Sequence, residues 1–219
     1  MVSGDSVERQ VVNLSPEATS DGIAEWSLPQ VVDYLKHKEQ EESSDKKEYC
    51  RVSYRTSIRL LSDAIAEAAH RYNVSQSRMS KWISFHAISI AQDDVVVGSL
   101  VSKHDQLIRV GLQDADADML DVLHAVVPYS PKHIVEKPGY LRLYDSWVLS
   151  GFEELAQACG VWSYRIVQVF MLRSLLTDQL PELGKLAQEL EIESSRWDKW
   201  MRMRLGAITG MLERNPFAD

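Results

Sequence analysis

The chain has 219 residues, 45% of them hydrophobic and 26% charged, with a formal net charge of -8. This is a globular composition with enough apolar material for a core, and it excludes a fibrous or low-complexity chain. No run approaches the roughly 20 apolar residues of a membrane span, and the start MVSGDSVERQ lacks the basic and apolar regions of a secretory signal.

Charge is unevenly spread, at -7 over residues 1–45, +5 over 46–82 and -6 over 83–219. A basic island in an acidic chain attracts a polyanion locally while the remaining surface keeps the protein dispersed. Cys50 and Cys159 are the only cysteines, too few and too far apart for a disulfide framework, so a cytoplasmic setting is expected.

Residues 1–22 are poor in large apolar side chains and read as a disordered acidic tail. Over 23–39, Ile23, Trp26, Leu28, Val31, Val32 and Leu35 recur as in a short amphipathic helix, with Ser27 and Pro29 at its start. The polar run EQEESSDKKE (39–48) then reads as a linker.

RVSYRTSIRL (51–60) alternates strictly. Arg51, Ser53, Arg55, Ser57 and Arg59 fall on one side, and Val52, Tyr54, Thr56, Ile58 and Leu60 on the other. A period of two is the signature of a strand with two different faces. Ser62 and Asp63 suit a helix start, and Ala64, Ile65, Ala68, Ala69 and Tyr72 form an apolar stripe. Asn73 tolerates the left-handed conformation that ends a helix. Ser75 or Ser77 then caps a second helix whose buried stripe is Met79, Trp82, Ile83, His86, Ala87 and Ile90.

A lone strand with two helices leaves both strand edges unpaired, so a second strand must pair with it. A two-stranded ribbon fits the DNA major groove, where arginine grips guanine and serine bonds to several bases. The stretch SIRLLSDAIAEAAHRYNVSQSRMSKWI resembles the ribbon-helix-helix superfamily of Arc/MetJ-type DNA-binding regulators. Ser57-Ile58-Arg59-Leu60 matches the strand end and Asn73-Val74-Ser75-Gln76-Ser77 the turn, while Leu61 and Asn73 replace the family's usual proline and glycine. The resemblance covers about 40 residues. It implies that Arg55, Ser57 and Arg59 read bases, alongside Arg51 and Ser53 on the same face, and that Ser75, Ser77 and Arg78 clamp a backbone phosphate.

A degenerate second copy is read over about 140–175. Gly160-Val161 and Arg165-Ile166 echo Asn73-Val74 and Arg78-Met79, and Leu141, Leu143, Trp147 and Leu149 alternate as a strand face. The pairing is then either intramolecular, with Arg55, Ser57 and Arg59 opposite Arg142, Tyr144 and Ser146, or between two chains through Arg51–Leu60. The better-formed first strand favours a homodimer. A third echo, Ser195-Arg196 with Lys199-Trp200, follows Leu180-Pro181. Residues 95–110 read as a helix or a hairpin and 112–128 as a helix with an acidic start.

Other chemistry finds little footing. Asp114, Asp116 and Asp118 resemble half of a calcium loop, but Met119 and Ala125 stand where it needs Gly and Glu. His104, His124, His133 and Cys159 have no metal-ligand spacing, and no phosphate-binding glycine loop or nucleophile motif occurs.

The expected fold class is mainly α, a ribbon-helix-helix unit of one strand and two helices plus a helical C-terminal domain, with a tandem ribbon-helix-helix as its variant. The expected divisions are an acidic tail over 1–48, a DNA-binding domain over 49–93 and a helical region over 94–219. The expected function is that of a sequence-specific DNA-binding transcriptional regulator, a repressor-type dimer or intramolecular pseudo-dimer on double-stranded DNA. No enzymatic activity, cofactor, metal or membrane is expected. The alternative is a protein–protein module, antitoxin-like or an assembly protein, gripping a partner through its C-terminal half.

Overall fold

The computed structural model describes residues 22–41, 52–56, 59–109, 139–143, 146–178 and 184–213. A 3-10 turn at Ile23–Glu25 precedes α1 (Leu28–Glu41), β1 (Val52–Thr56), α2 (Arg59–Arg71), α3 (Gln76–Asp93) and α4 (Val95–Arg109). Then follow β2 (Gly139–Leu143), α5 (Ser146–Cys159), α6 (Ser163–Leu176) and α7 (Gly184–Glu213). Among the described residues none of these helices is long and apolar enough to cross a membrane.

The centre is the packing of α3 on α6. Both helices are buried over most of their circumference, polar residues such as Ser84, His86 and Gln168 included. α3 buries Met79, Trp82, Ile83, Phe85, Ala87, Ile88 and Ala91, while α6 buries Ile166, Val167, Val169, Phe170, Met171, Leu172 and Leu175. Polar side chains on these helices bond locally: the Ser84 hydroxyl donates to the Ser80 carbonyl at 2.7 Å and lies 3.8 Å from the Met171 sulfur. The buried residues from Ile23 to Leu212 form one contiguous cluster.

α2 and α5 end alike. Asn73 (φ 54°) and Gly160 (φ 63°) take the left-handed conformation. The Val74 N–H reaches the Ala69 carbonyl and the Val161 N–H the Ala156 carbonyl, each closing the helix by the six-to-one bond of a Schellman turn. Ser75 then caps α3, its hydroxyl accepting from the Arg78 N–H at 3.2 Å. α6 starts at Trp162 with no side-chain cap.

The expected fold class is corrected. The chain is mainly α, with seven α-helices among the described residues, and the ten-residue ribbon strand is not seen. Among the described residues of 51–60, the strand covers Val52–Thr56, and Arg59 and Leu60 already belong to α2. The cause lies in Leu61, Ala64, Ile65, Ala68 and Ala69, all buried at helical spacing. That stripe draws the helix start back past Ser62, which stands exposed inside the helix instead of capping it. Trp147 and Leu149 likewise lie in α5 and not on a strand.

Val52–Thr56 pairs with Gly139–Leu143 of the same chain, antiparallel. A strand–helix–helix order thus occurs twice, at Val52–Asp93 and Gly139–Leu176. β2 runs beside α2 and α3, and β1 beside α6. The third echo falls inside the uninterrupted helix α7, and residues 95–109 are helical. Residues 112–128, with Asp114, Asp116, Asp118 and His124, lie outside the described residues, as do His133 and Leu180-Pro181.

Three contacts tie the N-terminal helix and the outer helices to the centre. The Leu28 N–H at the start of α1 donates to the Thr177 hydroxyl at 2.8 Å. Tyr72 donates to the buried Asp178 carboxylate at 2.7 Å, and Arg71 stands 3.6 Å from the same oxygen. Burial holds the Asp178 carboxyl above the usual carboxylate range, while Tyr72 and Arg71 pull it down. Asp94 caps α4 through the Val96 and Val97 N–H groups and also accepts from Arg173 at 2.8 Å.

Candidate nucleic-acid interface

In the β1–β2 ribbon, Ser53 stands opposite Arg142 and Arg55 opposite Tyr140. Val52 faces Leu143, Tyr54 faces Leu141 and Thr56 faces Gly139. Directly opposed residues of an antiparallel pair share a face, and alternate residues along a strand share it too. Ser53, Arg55, Tyr140 and Arg142 therefore fall on one face. Val52, Tyr54, Leu141 and Leu143 fall on the other.

This register differs from the expected intramolecular one. Arg55 was expected in a set facing Arg142, Tyr144 and Ser146, yet it faces Tyr140, and Ser146 opens α5. Of the expected base readers, Ser53 and Arg55 lie in β1. Arg59 opens α2, and Arg51 and Ser57 lie outside the described residues.

The expected phosphate clamp divides in two. Ser75 and Ser77 are exposed at the start of α3, with the Ser75 hydroxyl engaged in capping. Arg78 is held by Glu39 from the last turn of α1: its Nε donates to Oε2 at 2.7 Å and its Nη2 lies 2.6 Å from the same oxygen. The guanidinium also rests over the Trp82 ring, 5.5 Å from its centroid. Glu39 Oε1 accepts from Trp82 Nε1 at 3.0 Å and lies 3.7 Å from Lys81 Nζ. No sequence signal announced this contact, because its partners are 39 and more residues apart. At the corresponding turn of the second segment Trp162 is 70% exposed, and Arg165 lies over the Tyr164 ring.

The titratable groups inside the body read as structural. His86 is fully buried, with Nδ1 3.0 Å from the Ser174 hydroxyl. The backbone of Ile23, Ala24 and Trp26 approaches the ring, and Nε2 has no partner within hydrogen-bond geometry among the described residues. Burial pulls its pKa down to about 4, so the ring is neutral at pH 7. Burial pushes the Cys159 thiol up to about 12, which leaves it unreactive as a nucleophile. His104 lies on α4, where burial lowers its pKa, beside a cavity of about 490 Å³ between α4 and α5 that Val101, Asp105, Glu154, Leu155 and Gln157 also line. Trp197 and Trp200 are core residues, packed on each other at 5.6 Å between centroids.

Comparison of the chain with protein-family models, with curated proteins and with solved structures finds no match.

Proposed function

We propose that this chain is a sequence-specific DNA-binding regulator that lays the β1–β2 ribbon in the major groove, with Ser53, Arg55, Tyr140 and Arg142 toward the base edges. The supporting observation is the register itself. It sets Ser53 against Arg142 and Arg55 against Tyr140, so two arginine and two hydroxyl-bearing positions share one face of a two-stranded ribbon. A groove about 12 Å wide admits such a ribbon, and arginine is the residue best matched to the paired acceptors of guanine. The +5 charge of residues 46–82 supplies the sequence-independent attraction.

Selection of duplexes from a random pool, followed by mobility shift, tests the reading. Arg55→Ala and Arg142→Ala are each expected to lose about 1–3 kcal/mol of discrimination at the selected site, with binding to unselected duplex little changed. Equal retardation of selected and random duplex by the unaltered protein overturns it. A second reading, a protein–protein module, is favoured by one observation, the 70% exposure of the Trp162 side chain at the start of α6. That reading expects Trp162→Ala to abolish partner capture and the ribbon variants to leave it intact.

A further inference from the structure

We propose that Arg78, Lys81 and the Trp82 indole N–H form an anion site for a DNA backbone phosphate, and that Glu39 occupies it as an intramolecular competitor. The inference rests on the DNA-binding reading and adds a masking contact to it.

The donor set converges on one carboxylate. Two guanidinium nitrogens meet Glu39 Oε2 at 2.6 and 2.7 Å, and the indole N–H meets Oε1 at 3.0 Å with the Lys81 ammonium 3.7 Å from it. An arginine fork, an ammonium and a fixed N–H make a set that suits a phosphate diester at least as well as a carboxylate. The Trp82 side chain is wholly buried, so the indole that seats the guanidinium cannot swing away. The Arg78 side chain is 52% exposed and that of Glu39 only 22%. The arginine is therefore open to solvent on the side that Glu39 leaves uncovered. The site lies at the start of α3, and α3 runs beside β2, so a duplex seated on the ribbon passes the element that carries it.

The masking has a direct electrostatic consequence. A phosphate arriving at Arg78 meets the Glu39 charge and must displace it. One unscreened like charge at about 4 Å in water weakens binding about five-fold.

The test uses the full chain with Glu39→Gln, which removes the charge and keeps one oxygen, enough for the Trp82 N–H, while giving up the acceptor on Arg78. Arg78→Ala and the double variant complete a cycle. Thermal unfolding of each variant establishes that it is folded. Glu39→Gln is expected to bind random duplex about five-fold more tightly at low salt, with the slope of log affinity against log salt steeper by about 0.9 for one additional phosphate contact. Arg78→Ala is expected to cancel both effects. Unchanged or weaker binding by folded Glu39→Gln, in a protein whose unaltered form binds DNA, overturns the masking proposal alone. Absence of duplex binding by every variant instead sinks the DNA-binding reading. In that event a pyrophosphate titration followed by thermal shift still decides the anion site: Glu39→Gln must be stabilised more than the double variant, and equal response overturns it.

Discussion

A Cβ placed on Gly160 would collide with the Arg204 guanidinium nitrogen Nη2. Arg204 is itself buried, and it donates to the Cys159 carbonyl at 3.3 Å and reaches toward the Gly160 carbonyl at 3.5 Å, closing the end of α5. The glycine just past α5 and an arginine of α7 thus share one small volume. Gly160→Ala meets two penalties, a left-handed backbone worth about 1–2 kcal/mol for a residue with a Cβ and displacement of a buried cation from its carbonyls. Denaturant unfolding should show a loss of about 3 kcal/mol or more. Gly98→Ala is the opposite case. Gly98 sits inside α4 with nothing within 4 Å of an added Cβ, so it should gain about 0.5–1 kcal/mol.

Asn73 occupies the matching turn of the first segment. It is exposed and carries a left-handed φ of 54°. Asn73→Ala is expected to cost about 1 kcal/mol, and Asn73→Gly to cost nothing measurable, in the same unfolding assay. Equal effects of alanine at 73 and at 160 would show that Arg204 contributes nothing to the second turn.

His86 predicts an acid limit. Its pKa is about 4 in the folded chain and 6.5 in the unfolded one. Below pH 6.5 the unfolded chain takes up a proton that the folded chain refuses, so stability is full above 6.5 and falls as pH drops toward 4. The loss approaches about 3 kcal/mol at pH 4. Unfolding free energies at pH 7.0, 6.0 and 5.0 measure it. His86→Gln, which cannot titrate and keeps a group for Ser174, should flatten the slope.

Asp94 carries two duties, capping α4 and pairing with Arg173, whereas Asp198 touches Arg173 only at 3.6 Å from a half-exposed position. Asp94→Ala should cost about 2 kcal/mol, from a lost cap and a lost pair. Asp198→Ala should leave thermal stability within measurement scatter.

Local signals were the legible ones. Asn73 and Gly160 ending two helices, Ser75 opening a third and the apolar stripe of α3 are all written within a few residues of where they act. The strand end was not, because Ile58 and Leu60 fit a two-residue period while Ile58 and Leu61 fit a helical one, and the burial of Leu61 decided for helix. The register was not legible either. A hairpin turn fixes which residues oppose one another, but a long connection separates β1 from β2, so the pairing of Arg55 with Tyr140 depends on how both strands lie against α2, α3 and α6. Glu39 on Arg78 and Arg204 on Gly160 were hidden for a further reason. A charged residue on an amphipathic helix reads as solvated until its neighbour from another helix is known.

Because β1 and β2 are stretches of one polypeptide, their union is a first-order event that dilution does not undo. In a symmetric pair of chains every substitution appears twice, once on each side. Here a change at Arg55 leaves Tyr140 and Arg142 as they were, so each half of the ribbon is free to drift by single steps toward a lopsided surface that no self-matched dimer could present.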